Sequence, residues 1–131
     1  MPLWQECNVE SSKNIHYVTQ SPHYLIFPYC KAVVHHGGAG TTQSTILSKT
    51  PSIVVPHIYE QELWSLELKR LGVAPKFIRR RRLTAKRLAK KIKIVLNSSS
   101  MQEKSKKIGE LMKNENGVEK AIELIHSQFT N

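Results

Sequence analysis

The stretch His35-His36-Gly37-Gly38-Ala39-Gly40-Thr41-Thr42 sets two imidazoles, three glycines and two hydroxyls in eight consecutive residues. Glycine lets backbone N–H groups approach a ligand closely and takes up φ > 0 where a turn needs it. Thr41 and Thr42 are positioned to open a helix, whose unpaired N–H groups and positive dipole end favour a phosphate. His36 can add a charge-assisted hydrogen bond to the same oxygens. The chemistry implied is the gripping of a diphosphate, and so a nucleotide-type ligand. The competing reading is structural: glycines between strand and helix also serve close packing alone. The spacing matches neither GxGxxG nor GxxxxGK[ST], which sets aside the two commonest phosphate motifs.

Such a turn needs a strand before it and a helix after it. Ala32-Val33-Val34 is a short apolar run of the kind buried in a parallel sheet, and Thr41 to Ser48 reads as the helix. Ile15 to Val18, Ser52 to Val55 and Phe77-Ile78 are further strand candidates, the last at an edge. A turn or short helix is predicted near Tyr24 to Phe27. Glu60 to Leu71 carries Trp64, Leu68 and Leu71 on one stripe, and Gly72 ends it. Thr84 is an N-cap candidate, flanked by a Leu83–Leu88 staple, for a helix burying Leu88, Ile92, Val95 and Leu96. Met101 to Lys113 and Val118 to Gln128 are two more helices, the last with Val118, Ala121, Ile122 and Ile125 at helical spacing. Strands alternating with helices predict an α/β fold, a partial Rossmann-like parallel sheet flanked by helices, with C-terminal helices beyond it. In such a sheet the ligand crevice lies at the strand C-terminal ends, where the cradle and Glu60-Gln61 both fall.

At 131 residues the chain suffices for one small domain. The expected division is a lead over 1–14, a sheet and cradle core over 15–78, and a helical part over 84–128. No run approaches the roughly 18 apolar residues of a membrane span. Met1-Pro2-Leu3-Trp4-Gln5-Glu6 lacks the pattern of a secretory signal. Two cysteines, Cys7 and Cys30, without metal-type spacing suit a reducing compartment, so a cytoplasmic location is expected. His35, His36 and His57 form the one metal trio worth weighing. Adjacent histidines point apart in a strand and no Asp exists in the chain, so no metal is expected.

Charge is lopsided. Ten Lys or Arg and no acid lie between Lys76 and Lys93, and the net charge of +10 resides there. Arg79, Arg80, Arg81 and Arg82 lead into a helix with Lys86, Arg87, Lys90, Lys91 and Lys93. This patch is suited to an anionic membrane surface, with peripheral attachment. A solvated helix face is the plainer reading. Nucleic acid is disfavoured, because no reading helix, aromatic platform or zinc site accompanies the charge.

Further motifs follow in order: Ser21-Pro22-His23, Leu25-Ile26-Phe27-Pro28, Thr50 to Pro56, His57-Ile58-Tyr59-Glu60-Gln61, Trp64, and Leu71-Gly72-Val73-Ala74-Pro75. With the cradle, this set resembles the donor-binding C-terminal half of nucleotide-sugar glycosyltransferases of the two-domain GT-B fold, nearest the bacterial antibiotic and sterol glucosyltransferase branch. The likeness runs from about Ile15 to the C-terminal helix. It implies transfer of a hexosyl group from a UDP-sugar such as UDP-glucose to a lipid, sterol or natural-product hydroxyl, without a metal or other cofactor. By the same resemblance His36, Gly37, Gly38, Ala39, Gly40 and Thr41 hold the donor diphosphate. Glu60 and Gln61 meet the sugar hydroxyls, and Pro22 and His23 lie on the nucleobase side.

Three positions depart from the pattern: Glu60 where Asp is usual, Lys49 where a glycine stands before Pro51, and Gln20 where plant relatives carry Trp. Nothing here resembles the N-terminal acceptor domain, which in the family supplies the catalytic base. No catalytic residue is therefore expected in this chain. It is read as a fragment, a split-gene or decayed-gene product, or one half completed by a separate acceptor-domain chain, and as inactive alone. The alternative is a non-catalytic remnant serving as an interaction or membrane-surface module through its basic helix.

Overall fold

Two three-residue segments, each with a β-branched pair (Val33-Val34 and Ile53-Val54) and too short for helices, make the centre of the fold. In the computed structural model, which describes residues 13–18 and 20–129, β1 (Val33–His35) and β2 (Ser52–Val54) pair in parallel. Val33 faces Ser52, Val34 faces Ile53 and His35 faces Val54. The ladder extends beyond them, with the Val33 N–H donating to Pro51 at 3.0 Å and the Val55 N–H to His35 at 2.9 Å. Ser52, Ile53 and Val54 are all buried, as a strand covered on both faces must be.

Helices pack on this ladder, but β1 is covered on one face only: Val33 and His35 are buried, whereas Val34, expected to be buried, points to the other face and is 46% exposed. α1 (His23–Ile26) runs into a 3-10 turn over Phe27–Tyr29. The Thr50 hydroxyl, buried at the entrance to β2, donates to the Phe27 carbonyl at 2.8 Å and anchors that turn. α2 (Ala39–Leu47) joins the two strands, and α3 (Tyr59–Leu71) follows β2. Gly72, at φ 76°, caps α3 in the left-handed region that glycine adopts freely. α4 (Ala85–Leu96), α5 (Ser99–Lys113) and α6 (Gly117–Phe129) complete the chain. The Thr84 hydroxyl accepts from the Arg87 N–H and caps α4, as the sequence predicts. The core gathers Val54, Leu68, Val73 and Ala74, with Ile46, Leu71, Phe77 and Ile108 packed around them.

Several expectations are corrected. Of Ile15 to Val18 only Ile15 makes a bridge, and the segment stays exposed, so no burial offsets the entropy of ordering it as a strand. Phe77-Ile78 runs beside β2 without forming an edge strand. The Ser52 N–H donates to Val73 and the Ile78 N–H to Val54, but Pro75 between them has no N–H to continue the ladder. α2 starts at Ala39 rather than Thr41, with Gly38 as its N-cap, which turns Thr42 and Thr45 onto the buried face. α5 likewise begins two residues before Met101, because Ser98 caps it. Leu96 is half exposed: one residue is about 100° of helical turn, and Val95, fully buried, takes the inward place. α6 forms as predicted, yet Val118, Ala121, Ile122 and Ile125 all remain exposed.

Lys49 illustrates what position decides. It follows α2 at φ 60°, a left-handed backbone that favours glycine, and its Nζ pairs with Glu110 of α5 at 2.9 Å. It therefore sits at the end of α2 away from the cradle. An exposed ion pair contributes little, whereas a non-glycine residue at φ > 0 costs about 1 kcal/mol. Lys49→Gly is expected to stabilise the chain by about 0.5–1 kcal/mol, read as a rise in the urea midpoint with UDP affinity unchanged.

Candidate diphosphate-binding site

The site is built where β1 ends and α2 begins. With Gly38 as N-cap, the N–H groups of Ala39, Gly40 and Thr41 have no acceptor within the helix. The first helical bond is that of the Thr42 N–H to the Gly38 carbonyl, at 2.9 Å. Three amides and the positive end of a nine-residue helix thus face outward together. The residues selected from sequence, His36 through Thr41, are the ones that line this end.

Two glycines shape it in different ways. Gly37 has φ 92°, and a Cβ there would stand 2.8 Å from Val54 Cγ1 and 3.0 Å from the Gln61 carbonyl oxygen. The turn is pressed against the first turn of α3, so Gly37 joins the cradle to Gln61. At Gly38 a Cβ would meet the Nε2 of His36 at 2.5 Å. The exposed His36 ring is therefore folded back over the N-terminus of α2. The His57 ring, on the loop after β2, is 6.4 Å away.

Gln61 has a task that sequence reasoning missed. Its Oε1 accepts the N–H of His57 at 2.7 Å and, more weakly, that of Ile58 at 3.4 Å. The side chain thereby ties down the loop that enters α3, while its amide N–H groups stay available to a ligand. Glu60 stands exposed at the second position of α3, where the helix dipole favours a carboxylate. His23 opens α1 after Pro22 and lies flat on Phe27, ring centroids 4.4 Å apart and planes within 11°. One face of that imidazole is covered.

His35 has no donor-binding role in the sequence reading, yet it fixes the turn from behind. The Gly37 N–H donates to His35 Nδ1 at 3.1 Å, an i→i+2 bond of the kind short polar side chains make in turns. Nδ1 must be unprotonated to accept, so the proton resides on Nε2, which has no partner among the described residues. Burial first, then the nearby charges of His36 and His23, lowers its pKa from 6.5 to about 4. A histidine kept neutral by folding binds fewer protons than in the unfolded chain between those values. Its contribution is therefore complete above about pH 6.5 and is lost as pH falls toward 4, amounting to about 3 kcal/mol at most. His35→Asn, whose side-chain oxygen can take the same N–H, is expected to flatten the stability–pH slope in that window. Urea unfolding of both proteins across the range checks this, and an unchanged slope refutes the assignment.

His35 is buried and His36 exposed, on opposite sides of the strand end. Among the described residues no three His, Cys, Asp or Glu side chains are grouped to hold a metal ion. No described helix is long and apolar enough to cross a membrane. The basic run meets the site's border: Arg79 forms a two-pronged ion pair with Glu62 of α3, at 2.8 and 3.0 Å. This holds the Glu62 carboxyl below the usual carboxylate range.

Residues 6–124 match the family described as erythromycin biosynthesis protein CIII-like, C-terminal domain. The chain is 36% identical over 124 residues to a sterol 3-beta-glucosyltransferase of Debaryomyces hansenii, covering 95% of this chain and 8% of that protein. It is 32% identical over 117 residues to sterol 3-beta-glucosyltransferase UGT80B1 of Arabidopsis thaliana (89% and 19% covered). It is 38% identical over 112 residues to UDP-sugar-dependent glycosyltransferase 52 of Dictyostelium discoideum (84% and 6%). It thus spans less than a fifth of each of these relatives. Among solved structures, the glycotransferase of kitacinnamycin superposes with TM-score 0.76 at 23% identity, over 83% of this chain and 28% of that one. Glycosyltransferase VinC, solved in complex with dTDP, gives 0.69 at 25% identity, over 79% and 26%. With the cradle, the parallel ladder and these likenesses together, the chain belongs to the family of erythromycin biosynthesis protein CIII-like C-terminal domains and has the fold of the matching C-terminal part of GT-B glycosyltransferases.

Proposed function

We propose that this chain is the donor-binding portion of a glycosyltransferase, holding a UDP-hexose for transfer to a sterol, lipid or natural-product hydroxyl. The observation that carries the reading is the close approach of Gly37 to Gln61, which sets the anion cradle against the first turn of α3, where Glu60 and Gln61 stand. As the anomeric C–O bond breaks, negative charge gathers on the departing diphosphate. The amides of Ala39, Gly40 and Thr41, the dipole of α2 and His36 all bind that charge more strongly than the intact donor, which is the condition for catalysis. On this reading the site needs no metal, and a chelator leaves UDP affinity unchanged. Glu60 accepts and Gln61 donates to sugar hydroxyls, and the open face of His23 lies toward the base. The VinC structure with dTDP and the UDP-sugar-dependent relative support a nucleoside diphosphate donor.

A general base must come within about 2.6–3.2 Å of the acceptor hydroxyl. We assign it to a facing acceptor domain, and turnover is expected only when such a domain is supplied. Calorimetric titration with UDP and UDP-glucose tests the donor reading. Gln61→Glu retains an oxygen for the His57 N–H but removes the amide donor, so it separates capping from sugar contact. Its expected effect is a loss for UDP-glucose about 0.5–1.5 kcal/mol larger than the loss that repulsion by the new carboxylate causes for UDP. Equal losses for both ligands refute the sugar contact, and no UDP binding by the wild type refutes the donor reading.

A further inference from the structure

Folding gathers cations in this chain that no carboxylate answers. Between the strap over 76–82 and α4 lies a cleft of about 420 Å³, floored by Phe77 and Ile78. Its rim carries Lys76, Arg82, Arg87, Lys90 and Lys91, together with Arg79, which Glu62 neutralises. No acid occurs in the sequence between Lys76 and Lys93, no carboxylate lines the cleft, and Glu62 and Glu67 of α3 are taken by Arg79 and Arg70. Lys91 is half-buried rather than splayed into water. Burial foremost, then the charges of Lys76, Lys90 and Lys69, depresses its proton affinity below that of an ordinary lysine. These cations come from two elements, the strap and α4, and Lys69 of α3 adds its charge to those acting on Lys91. A merely solvated basic face lets its charges spread apart; here they converge on one half-closed space, where mutual repulsion and lost hydration both act. An anion of two or more charges placed among them reverses both terms.

The surroundings say what carries that anion. A second groove shares Arg87 and Lys90 with the cleft and is lined by Ala89 and Ile94. Ile94 and Leu83 are each 41% exposed, on or just before the same helix. Apolar side chains beside a cation rim suit the boundary between lipid headgroups and acyl chains, whereas a free phosphate in solution makes no use of them. We propose that the cleft between residues 76–82 and α4 is a discrete site for a multiply phosphorylated lipid headgroup, separate from the diphosphate cradle. It holds this chain at an anionic membrane surface.

Vesicle co-sedimentation of the full chain tests it. The lipids are phosphatidylcholine alone, phosphatidylcholine with phosphatidylinositol bisphosphate, and phosphatidylcholine with phosphatidylserine at matched total charge. The variant is Lys90→Ala/Lys91→Ala; the control, Lys106→Ala/Lys107→Ala on α5, removes the same charge elsewhere. The expected result is tight binding to the bisphosphate vesicles only, reduced at least tenfold (an order-of-magnitude figure for two lost phosphate contacts) by the cleft variant and less than threefold by the control. Soluble inositol hexakisphosphate should compete. Equal binding to the phosphatidylserine vesicles, or equal losses in variant and control, overturns the site in favour of diffuse attraction. Binding of the soluble polyphosphate or of a duplex oligonucleotide without vesicle attachment overturns the lipid source. Urea midpoints show whether the variant folds. UDP titration of the same samples keeps this outcome independent of the donor site.

Discussion

Gly37→Ala is expected to cost the chain about 2–4 kcal/mol of stability, summing backbone strain and overpacking, and to abolish UDP binding with it. Two effects act together. The backbone at φ 92° is one that an L side chain rarely adopts, and the added methyl meets Val54 Cγ1 at 2.8 Å and the Gln61 carbonyl at 3.0 Å. Neither neighbour can yield cheaply: Val54 is buried in the core, and the carbonyl belongs to the first turn of α3. Relief requires moving α3 away from β1, which breaks the junction of cradle and sugar side. Single domains hold roughly 5–15 kcal/mol in total, so the loss is a large share of the whole. Urea unfolding measures it directly. A midpoint equal to that of the wild type, with UDP still bound, overturns the account of Gly37 as the joint of the site.

His36→Ala should do the opposite, leaving the fold intact and removing affinity. The ring is exposed and lies over the opening of α2, so its loss opens no cavity. A hydrogen bond from a side chain to a charged oxygen contributes about 1.5–3 kcal/mol, which corresponds to a roughly tenfold to 150-fold weaker UDP complex. Calorimetry of the folded variant reads the change, and the urea midpoint should stay within about 0.5 kcal/mol of the wild type, as for most surface changes. Equal UDP affinity in the two proteins removes His36 from the site. The pair of substitutions separates two roles that neighbouring residues play: one builds the turn and the other uses it.

The sequence by itself determined the parts that local chemistry governs. A short apolar run before glycines and hydroxyls specifies strand, turn and helix N-terminus, because backbone freedom and unpaired N–H groups are properties of consecutive residues. For the same reason Thr84 reads as a cap and Gly72 as a stop, and the order of motifs along the chain carries the family likeness. Tertiary structure alone decided what those parts touch. It turned His35 inward to pin Gly37, gave the Gln61 oxygen to the loop entering α3, and set Lys49 against Glu110 at the far end of α2. It also denied Ile15 to Val18 and Phe77-Ile78 their strands, and left the apolar positions of α6 uncovered. These outcomes depend on partners distant in sequence and on whether burial outweighs the entropy of ordering. Periodicity shows that a residue can face a core; only the packed chain settles whether a core is there to meet it.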